Sequence, residues 1–309
     1  MILTVTLNVS LDKYYRVPDF SPGDVNRVEK MIPTAGGKGL NVARVACALG
    51  APVKATGIIG GLTGDLICNL LSDEGIEFEF LKAPIESRTC INIIESEGRS
   101  TELLESGDAI GEETVSAFFD HFTRLLDEAD VVALSGSALR GMPNDIYGQL
   151  TTIAWESGIP TILDTSGERL LRGIEAAPAV IKPNQKEIGQ LMGKEEALAD
   201  DLIDHCMAYV GAGVQCVVVS LGSEGALLIT KEGVWQGRPP KLEVVNTVGS
   251  GDSMVAAFAV SLRNGDEPEV MLRRAIAVSA ANTLTESTGH IRPEDVETIR
   301  EQVRITRLR

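Results

Sequence analysis

The sequence predicts a three-layer α/β protein, in which helices cover both faces of a mostly parallel central sheet and a small β-strand lid lies beside it. Four short apolar runs each end in small or polar residues, which is typical of strands buried on both faces. These runs are Val131–Gly136, Thr161–Gly167, Val180–Asn184 and Cys216–Gly222. Segments with helical spacing and helix-start residues separate them, including Pro143–Gly158 and Asn184–Gly193. This alternation favours parallel strands with helices on both sides.

Composition narrows the classes of partner. The chain has 309 residues, of which 44% are hydrophobic, and a formal net charge of -16. Such a charge repels nucleic acid and anionic membrane surfaces, so we expect neither as a partner. No run approaches the roughly 20 apolar residues of a membrane helix, and the five scattered cysteines show no metal-binding spacing. We therefore expect a cytoplasmic protein.

The whole chain, residues 1–309, is expected to form one domain, because neither a low-complexity linker nor a fixed-period repeat interrupts it. Two segments, about 11–33 and 87–104, alternate in the manner of exposed antiparallel strands. We expect them to form a lid that excludes water from the site. An exposed lid edge could pair with a second copy of the chain and form a homodimer. Pro293–Arg309 is predicted to be a final helix with a solvated, arginine-rich end.

The strongest chemical motif is Asn246–Met254, NTVGSGDSM, which precedes the apolar helical segment Val255–Leu262. Gly249 and Gly251 at the start of a helix allow backbone N–H groups to converge on an anion. Asp252 beside such a loop could accept the proton of a hydroxyl that attacks a bound phosphate. A helix start with Asp252 as a capping or first-turn acid is the alternative.

Three further motifs carry weaker signals. In Thr34–Leu49, Gly36, Gly37 and Gly39 allow close backbone approach to a ligand and Lys38 adds charge, although a simple turn is an alternative. The P-loop and dinucleotide-binding spacings are absent, which disfavours an oxidoreductase. Ser220, Gly222 and Gly225 follow a buried strand and could line a nucleotide. Asn184 and Glu187 lie three residues apart and could act on a hydrated Mg²⁺, or serve only as loop and cap residues.

Together and in this order, the four motifs resemble those of the ribokinase-like (PfkB) carbohydrate kinases, across essentially the whole chain. Gly36–Asn41 and Thr247–Asp252 match the two family signatures. The resemblance implies a ribokinase-like fold, the use of ATP and Mg²⁺, and Asp252 as the catalytic base. It implies that Gly249, Ser250 and Gly251 form the anion hole and that Asn184 and Glu187 are associated with the metal. It places these residues along ATP: Lys182, Asn184, Ser220, Gly222, Gly225 and Asn282.

Within that family the sequence is similar to the phosphosugar branch, which contains tagatose-6-phosphate kinase and 1-phosphofructokinase. The likeness implies that Asp12 binds sugar hydroxyls and that Gly37 closely approaches the substrate. It implies that these residues hold the substrate's phosphate: Lys38, Asn41, Arg88 and Ser137, with Asn26 and Arg27 assisting. Such a basic cluster would let an acidic protein bind an anionic sugar. Asp164, which ends a predicted strand, could organise hydrated metal or cap the strand.

The substrate is expected to be a ketohexose phosphate. The stretch from Ser87 to Gly107 is more similar to the tagatose enzyme, which favours D-tagatose 6-phosphate over fructose 1-phosphate. Val9 and Ala138–Arg140 depart from the branch's usual pattern near the expected sugar pocket. A non-catalytic sugar-phosphate sensor is the alternative outside the enzymes, and its expected sign is a lost base or a broken anion loop. Asp252 and both glycines are present, so catalysis is favoured.

Overall fold

The computed structural model describes residues 1–96, 99–193 and 199–309, so positions 97 and 98 of the second predicted lid segment lie outside the described residues. The described strands are β1 (Ile2–Thr6), β2 (Ser10–Arg16), β3 (Lys30–Gly36), β4 (Val53–Ile59), β5 (Glu77–Phe78), β6 (Leu81–Lys82), β7 (Arg88–Ile94), β8 (Ser100–Leu104), β9 (Val131–Ser135), β10 (Thr161–Asp164), β11 (Val180–Ile181), β12 (Cys216–Ser220), β13 (Ala226–Thr230), β14 (Gly233–Arg238) and β15 (Arg304–Arg307). The described helices are α1 (Lys38–Ala48), α2 (Gly61–Asp73), α3 (Glu112–Leu125), α4 (Ile146–Glu156), α5 (Gly167–Ile174), α6 (Gln185–Leu191), α7 (Ala199–Gly211), α8 (Ser250–Asn264), α9 (Pro268–Asn282) and α10 (Pro293–Gln302).

The main sheet has 11 strands in the order β15-β14-β13-β12-β11-β10-β9-β1-β4-β5, with β6 also paired to β4. Every pairing from β12 through β1 to β5 is parallel, whereas β13, β14 and β15 extend the sheet by antiparallel pairing. The four runs predicted as buried strands form β9, β10, β11 and β12, each shorter than its predicted segment. A mostly parallel α/β fold is therefore confirmed. The carboxyl ends of its parallel strands share one edge, where ligands of such sheets bind.

Alternate side chains of each central strand pack into two apolar cores on opposite faces of the sheet. In β9, Val131 and Ala133 belong to one core, while Val132 and Leu134 belong to the other. Helices α1, α2, α8, α9 and α10 bury their apolar sides in the first core, and α3 to α7 bury theirs in the second. This two-sided burial explains why these strands are continuous apolar runs without polar alternation.

The two segments predicted to build a small sheet pair in a second sheet of four strands, in the order β3-β2-β7-β8. The pairs β2–β3 and β7–β8 are antiparallel, as expected of hairpin-like segments, but the central pair β2–β7 is parallel. The register aligns Asp12 with Thr34 on one side and Cys90 on the other. Side chains from all four strands thus reach the same region as the carboxyl edge of the main sheet.

The predicted final helix over Pro293–Arg309 is wrong in its second half. Helix α10 ends at Gln302, and the chain then enters β15, which pairs antiparallel with β14. Val303 is buried in extended conformation. Arg307 lies over the indole ring of Trp235, with 5.4 Å between the guanidinium carbon and the ring centroid. Arg304 and Arg307 therefore lie on an edge strand, where the indole ring of Trp235 stabilises the Arg307 cation.

Within the described ranges, no helix combines the length and the apolar character needed to cross a lipid bilayer.

Candidate active site

A cavity of about 620 Å³ lies where the carboxyl ends of the main-sheet strands face the second sheet. Its walls contain most of the residues singled out from the sequence. They are Asp12, Gly37, Lys38, Asn41, Arg88, Ser137, Lys182, Asn184, Glu187, Ser220, Gly249, Gly251 and Asp252. Motifs up to about two hundred residues apart in sequence are thus assembled around one space.

Asp252 lies in the first turn of α8 and is only 6% exposed. Burial and the neighbouring Asp164 carboxylate raise the pKa of Asp252 to about 6, although Lys38, Asn41 and Lys182 act in the opposite direction. Asn41 donates a 2.8 Å hydrogen bond from Nδ2 to its Oδ2. A carboxylate with a pKa near neutrality is suited to accept a proton and release it again.

Asp164, at the end of β10, is 1% exposed and paired with two lysines. Lys182 Nζ lies 3.3 Å from its Oδ1, and Lys38 Nζ lies 3.4 Å from its Oδ2. Burial acts to raise the pKa of Asp164, but the two ammonium groups outweigh burial and lower it. The pKa of Lys38 is raised, chiefly by Asp164. Two fixed positive charges therefore face the cavity beside Asp252, where developing phosphoryl charge would be stabilised.

Gly249 precedes α8 in a left-handed conformation, with φ of 84°. A Cβ atom there would lie 2.8 Å from the Gly289 backbone nitrogen, so both the backbone conformation and the close approach require glycine. Because α8 begins at Ser250, its first-turn N–H groups lack carbonyl partners within the helix. The Ser250 N–H donates to the Thr247 carbonyl at 3.3 Å, whereas Gly251 and Asp252 line the cavity. The amides of these two residues and the positive end of the helix dipole therefore lie at the cavity wall and suit an anion.

Asn282 and Ser250 lie behind this loop. Asn282 is fully buried; its Nδ2 donates to the Val248 carbonyl at 2.9 Å, and its Oδ1 accepts from Gly289 N at 3.0 Å. Ser250 Oγ donates to the Thr247 carbonyl at 2.8 Å. The polar atoms of both side chains thus brace the anion loop. The sequence-based expectation placed Asn282 along ATP, whereas the structure places it beneath the loop.

The sugar side of the cavity contains Asp12 and Arg88 on adjacent strands of the second sheet. Ser10 Oγ donates a 2.6 Å hydrogen bond to Asp12 Oδ1, and burial raises the pKa of Asp12. The Arg88 guanidinium donates from Nε to the Asn8 carbonyl at 3.2 Å and from Nη1 to the Glu105 carbonyl at 3.0 Å. These contacts hold the guanidinium plane at the cavity wall. Ser137 is exposed nearby and lies 3.4 Å from Asn8 Nδ2.

The opposite side contains the segment from Lys182 to Glu187 and Ser220. Asn184 and Glu187 form a capping box at the start of α6: each side chain accepts a 2.8 Å hydrogen bond from the other's backbone N–H. Asn184 and Glu187 therefore act as helix-capping residues, which was the alternative to a role at Mg²⁺. The cap uses Glu187 Oε2 and Asn184 Oδ1, while the second carboxylate oxygen of Glu187 takes no part in it. The Asn184 backbone bridges to Ser220, which joins the two segments at the cavity wall.

Besides Ser250 and Asn282, four predicted residues in the described part of the chain lie away from the cavity lining. Asn26 closes a loop by hydrogen bonds with the backbone of Ser21 and Asp24, and Arg27 is exposed. Gly222 is exposed in a turn. Gly225 has φ of 89°, and a Cβ there would lie 1.9 Å from the Gly237 carbonyl oxygen, so this glycine allows close packing between strands. The structure therefore does not join Arg27 to Lys38 and Arg88 in one basic cluster.

Several polar residues at the site were missed by reasoning from the sequence. Thr6 is the last residue of β1, Asn8 follows two residues later, and both line the cavity. Thr6 Oγ1 and Asn8 Oδ1 have no hydrogen-bond partner among the described residues. Arg44 is buried on α1 and binds Asn41. A signal existed for Arg44, because a cation in the apolar run NVARVACAL calls for a buried partner. The short segment TLNVS, residues 6–10, carried no comparable spacing signal for Thr6 and Asn8.

The family model for pfkB family carbohydrate kinases matches residues 5–295. The chain belongs to the pfkB family of carbohydrate kinases. Escherichia coli phosphofructokinase-2, solved in complex with potassium, shares 31% sequence identity with this pfkB kinase; the match covers 97% of this chain and 98% of that chain, with a TM-score of 0.91. The same E. coli enzyme in complex with fructose-6-phosphate matches with 30% identity, 97% and 98% coverage and a TM-score of 0.89.

Two further solved structures widen the comparison. A Thermotoga maritima protein described as a possible 1-phosphofructokinase is 26% identical, with 100% coverage of both chains and a TM-score of 0.89. Arabidopsis thaliana ribokinase, complexed with ribose and ATP, is 22% identical, with 97% and 98% coverage and a TM-score of 0.76, which shows the fold alone. The predicted ribokinase-like fold is thereby confirmed, and this pfkB kinase is an ATP-dependent, phosphofructokinase-like sugar kinase.

Proposed function

We propose that this kinase transfers the γ-phosphoryl group of ATP to the free primary hydroxyl of a ketohexose phosphate, with Asp252 as the catalytic base. The observation that carries the proposal is the position of Asp252. Its carboxylate is buried at the N-terminus of α8, has a pKa of about 6, and opens onto a cavity that also contains Arg88 and Lys38.

The proposed reaction transfers the phosphoryl group directly from ATP to the sugar hydroxyl. The Asp252 carboxylate accepts the hydroxyl proton while the sugar oxygen forms a bond to the γ-phosphorus. The bond from that phosphorus to its bridging oxygen breaks, and the electron pair leaves with ADP. First-turn amides of α8, together with Lys38 and Lys182, stabilise the charge on the transferring group. The second sheet closes the sugar side and would act as the lid that keeps water from attacking in place of the sugar.

Mg²⁺ fits this cavity as a hydrated ion that arrives with ATP. Among the described residues, no three His, Cys, Asp or Glu side chains cluster as a metal cage. Mg²⁺ commonly keeps several waters and binds through one or two carboxylates and substrate phosphates. When bound, it would supply charge neutralisation at the phosphates. Glu187 would hold its water shell with the carboxylate oxygen that the cap does not use, and Asn184 would keep that carboxylate in place.

The proposed substrate grip has two ends. Arg88 and Ser137, with Lys38 nearby, would bind the phosphate already on the sugar, because a guanidinium held in plane suits phosphate oxygens. Asp12 would accept hydrogen bonds from sugar hydroxyls between the phosphate and Asp252. This arrangement favours a ketohexose with phosphate at one end and a primary hydroxyl at the other. D-Tagatose 6-phosphate, converted to the 1,6-bisphosphate, is our first candidate, on the similarity of the stretch from Ser87 to Gly107.

Fructose phosphates are the second candidate. The E. coli relative has been solved with fructose-6-phosphate, and the T. maritima relative is described as a possible 1-phosphofructokinase. Fructose 6-phosphate and tagatose 6-phosphate differ only in configuration at C4, so the same phosphate contacts serve both. Fructose 1-phosphate would bind in the reverse sense and present its C6 hydroxyl.

A coupled assay of ADP release with Mg-ATP tests the proposal. The readout is kcat/KM for tagatose 6-phosphate, fructose 6-phosphate and fructose 1-phosphate, with ³¹P NMR of the bisphosphate formed. One phosphoketose turned over in preference to the others supports the proposal and identifies the substrate. ADP release that does not depend on any phosphoketose would contradict it.

A homodimer through the second sheet is also proposed. The apolar side chains Met31, Leu103 and Leu104 on β3 and β8 are at least half exposed, and both strands are edges of the sheet. Unpaired edges with apolar side chains favour pairing with another chain. Sedimentation equilibrium should give twice the mass of one chain, and Leu103→Lys should shift the distribution to single chains.

A further inference from the structure

A chain of four side chains links the proposed base to the surface near the end of α2. Glu74 accepts two hydrogen bonds from Arg44, at 2.7 Å from Nε to Oε2 and 3.2 Å from Nη2 to Oε1. Arg44 Nη1 donates to Asn41 Oδ1 at 3.0 Å, and Asn41 Nδ2 donates to Asp252 Oδ2 at 2.8 Å. Arg44 and Asn41 are both buried, whereas the Glu74 side chain is 24% exposed.

Arg44 decides which way the Asn41 amide faces. A guanidinium only donates, so the amide atom beside Arg44 has to be the acceptor Oδ1. The amide nitrogen is then turned towards Asp252, where it can donate. Arg44 itself is fixed by the paired contacts to Glu74 and by a 2.9 Å hydrogen bond from Nη2 to the Ala35 carbonyl. Gly289 also approaches Asn41 closely, since a Cβ atom at Gly289 would lie 3.0 Å from Asn41 Cβ and 3.1 Å from its Oδ1.

We propose that Arg44, oriented by Glu74, is a positioning residue for catalysis: it holds the Asn41 amide so that an N–H group always faces the Asp252 carboxylate. The proposal rests on the role of Asp252 as the base. Neither Arg44 nor Glu74 touches the reacting atoms. Their effect is to keep the ionised, proton-accepting form of the base hydrogen-bonded in one orientation while substrate binds and leaves.

Without Arg44, no guanidinium donates to Asn41 Oδ1, and the orientation of the Asn41 amide is no longer fixed. The amide can then turn its oxygen towards Asp252, where two acceptors face each other unless the carboxyl group is protonated. The protonated form is thereby favoured, so a smaller fraction of the base is ionised at neutral pH and its orientation is no longer fixed. The other charged groups facing Asp252 are Asp164, Lys38 and Lys182. Those around Arg44 are Glu74, His290 and Asp12, so the readout has to report on Asp252 itself.

The test is a pH titration of the Asp252 carboxyl carbon by ¹³C NMR, with aspartate labelled at Cγ and the Asp252 signal assigned by its loss in Asp252→Asn. Arg44→Met is expected to raise the pKa of Asp252 by about one unit, the range expected when a charged group loses a hydrogen bond. Glu74→Gln keeps one acceptor for Arg44 and is expected to give a smaller rise. In both variants kcat should fall, by about 10²-fold for Arg44→Met, with little change in KM for ATP.

The matched control is Glu128→Gln, which weakens the contact between another carboxylate and a buried cation, Lys54, at the opposite edge of the main sheet. It should leave the Asp252 titration and kcat unchanged. If Arg44→Met does not fold, Glu74→Gln decides. An Asp252 titration in folded Arg44→Met or Glu74→Gln that overlays the unaltered protein would overturn the inference. Failure of the unaltered protein to phosphorylate any phosphoketose would contradict the proposed function instead, and the titration would still decide whether Arg44 orients Asn41.

Discussion

Asn41 and Asp252 lie 211 residues apart in sequence and are joined by a buried 2.8 Å hydrogen bond at the wall of the cavity. Asn41 lies on α1 and ends the first glycine-rich motif, and Asp252 lies on α8 and ends the second. The contact therefore joins the two motifs that match the family signatures. It occurs where the two helix N-termini converge, so the same packing of α1 on α8 that builds the apolar core also sets the geometry of the proposed base.

The pKa of Asp252 predicts the acidic limb of the pH profile. Since the carboxylate must be ionised to accept a proton, and its pKa is about 6, kcat/KM should fall about tenfold per pH unit below pH 6 and be level from about pH 7. Initial rates at saturating Mg-ATP between pH 5 and 8 measure this. A profile that is flat across that range would show that Asp252 is not the titrating base.

Asp252→Asn is expected to lower kcat by about 10²–10⁴-fold, with ATP affinity nearly unchanged, because the amide keeps the shape but cannot accept the proton. Steady-state kinetics with each substrate varied in turn measures both constants, and a kcat close to that of the unaltered protein would contradict the role of Asp252 as the base.

Asp252→Asn should also be more stable than the unaltered protein at neutral pH. A folded-state pKa raised from 3.8 to about 6 means that stability is lost as pH rises from about 4 to 6. The difference in unfolding free energy between variant and unaltered protein should therefore grow across that window, to about 3 kcal/mol at pH 7. Urea unfolding at pH 4 and pH 7 measures it, and a difference that does not grow with pH would contradict the raised pKa.

Gly249→Ala tests the anion loop. The new Cβ would meet the Gly289 backbone and require a left-handed backbone at a residue with a side chain, so we expect a loss of about 1–3 kcal/mol in stability and a large loss of kcat. Gly265→Ala at the other end of α8 is the matched control. Its φ of 69° is equally left-handed, but nothing lies within 4 Å of the added Cβ. It should cost about 1–2 kcal/mol and leave kcat intact. Equal effects of both variants on kcat would argue that the loop does not bind the phosphoryl group.

Arg88→Ala should raise KM for the phosphosugar by about 10–100-fold and change KM for ATP much less, because Arg88 lies on the sugar side of the cavity. Arg172→Ala is the control, since Arg172 is an exposed arginine on α5 that pairs with Glu168 and Glu175. Steady-state kinetics with each substrate varied in turn separates the two constants. A parallel rise in both would indicate that Arg88 supports the second sheet through its bonds to Asn8 and Glu105 and does not bind phosphate.

The local sequence pattern was enough to predict the strands and helices that are marked by hydrophobic runs or by helical spacing. The apolar runs that become β9 to β12 are buried on both faces, and that burial is visible as unbroken hydrophobicity. The last strand was not predictable in this way. Residues 304–307 are Arg, Ile, Thr and Arg and contain no apolar run. They form a strand because they pair with β14 and because Arg307 packs over the ring of Trp235.

The same distinction between local pattern and long-range contact separates the site residues that could be predicted from those that could not. Glycine-rich motifs and Asp252 stand out because the backbone conformation demands particular residues in consecutive positions. Contacts between distant segments do not leave such a pattern. Glu74 gives no sign in sequence that it orients a side chain near the base, and Asn282, at the end of an apolar helix, gave no sign that it braces the loop from beneath. Arg27 illustrates the opposite error: it was grouped with Lys38 and Arg88 from the sequence, but it does not line the cavity.

A comparison of each phosphorylated ketose with its free sugar tests most directly whether the cavity binds a sugar phosphate for transfer to its distant hydroxyl. The measurement is kcat/KM with Mg-ATP for tagatose 6-phosphate against tagatose and for fructose 6-phosphate against fructose. If Arg88 and Lys38 grip the phosphate while Asp252 deprotonates the distant hydroxyl, the better phosphosugar should exceed its free sugar by at least about 10²-fold, the value expected for charge-assisted phosphate contacts. Equal values for a sugar and its phosphate, or a preference for the free sugar, would contradict the account.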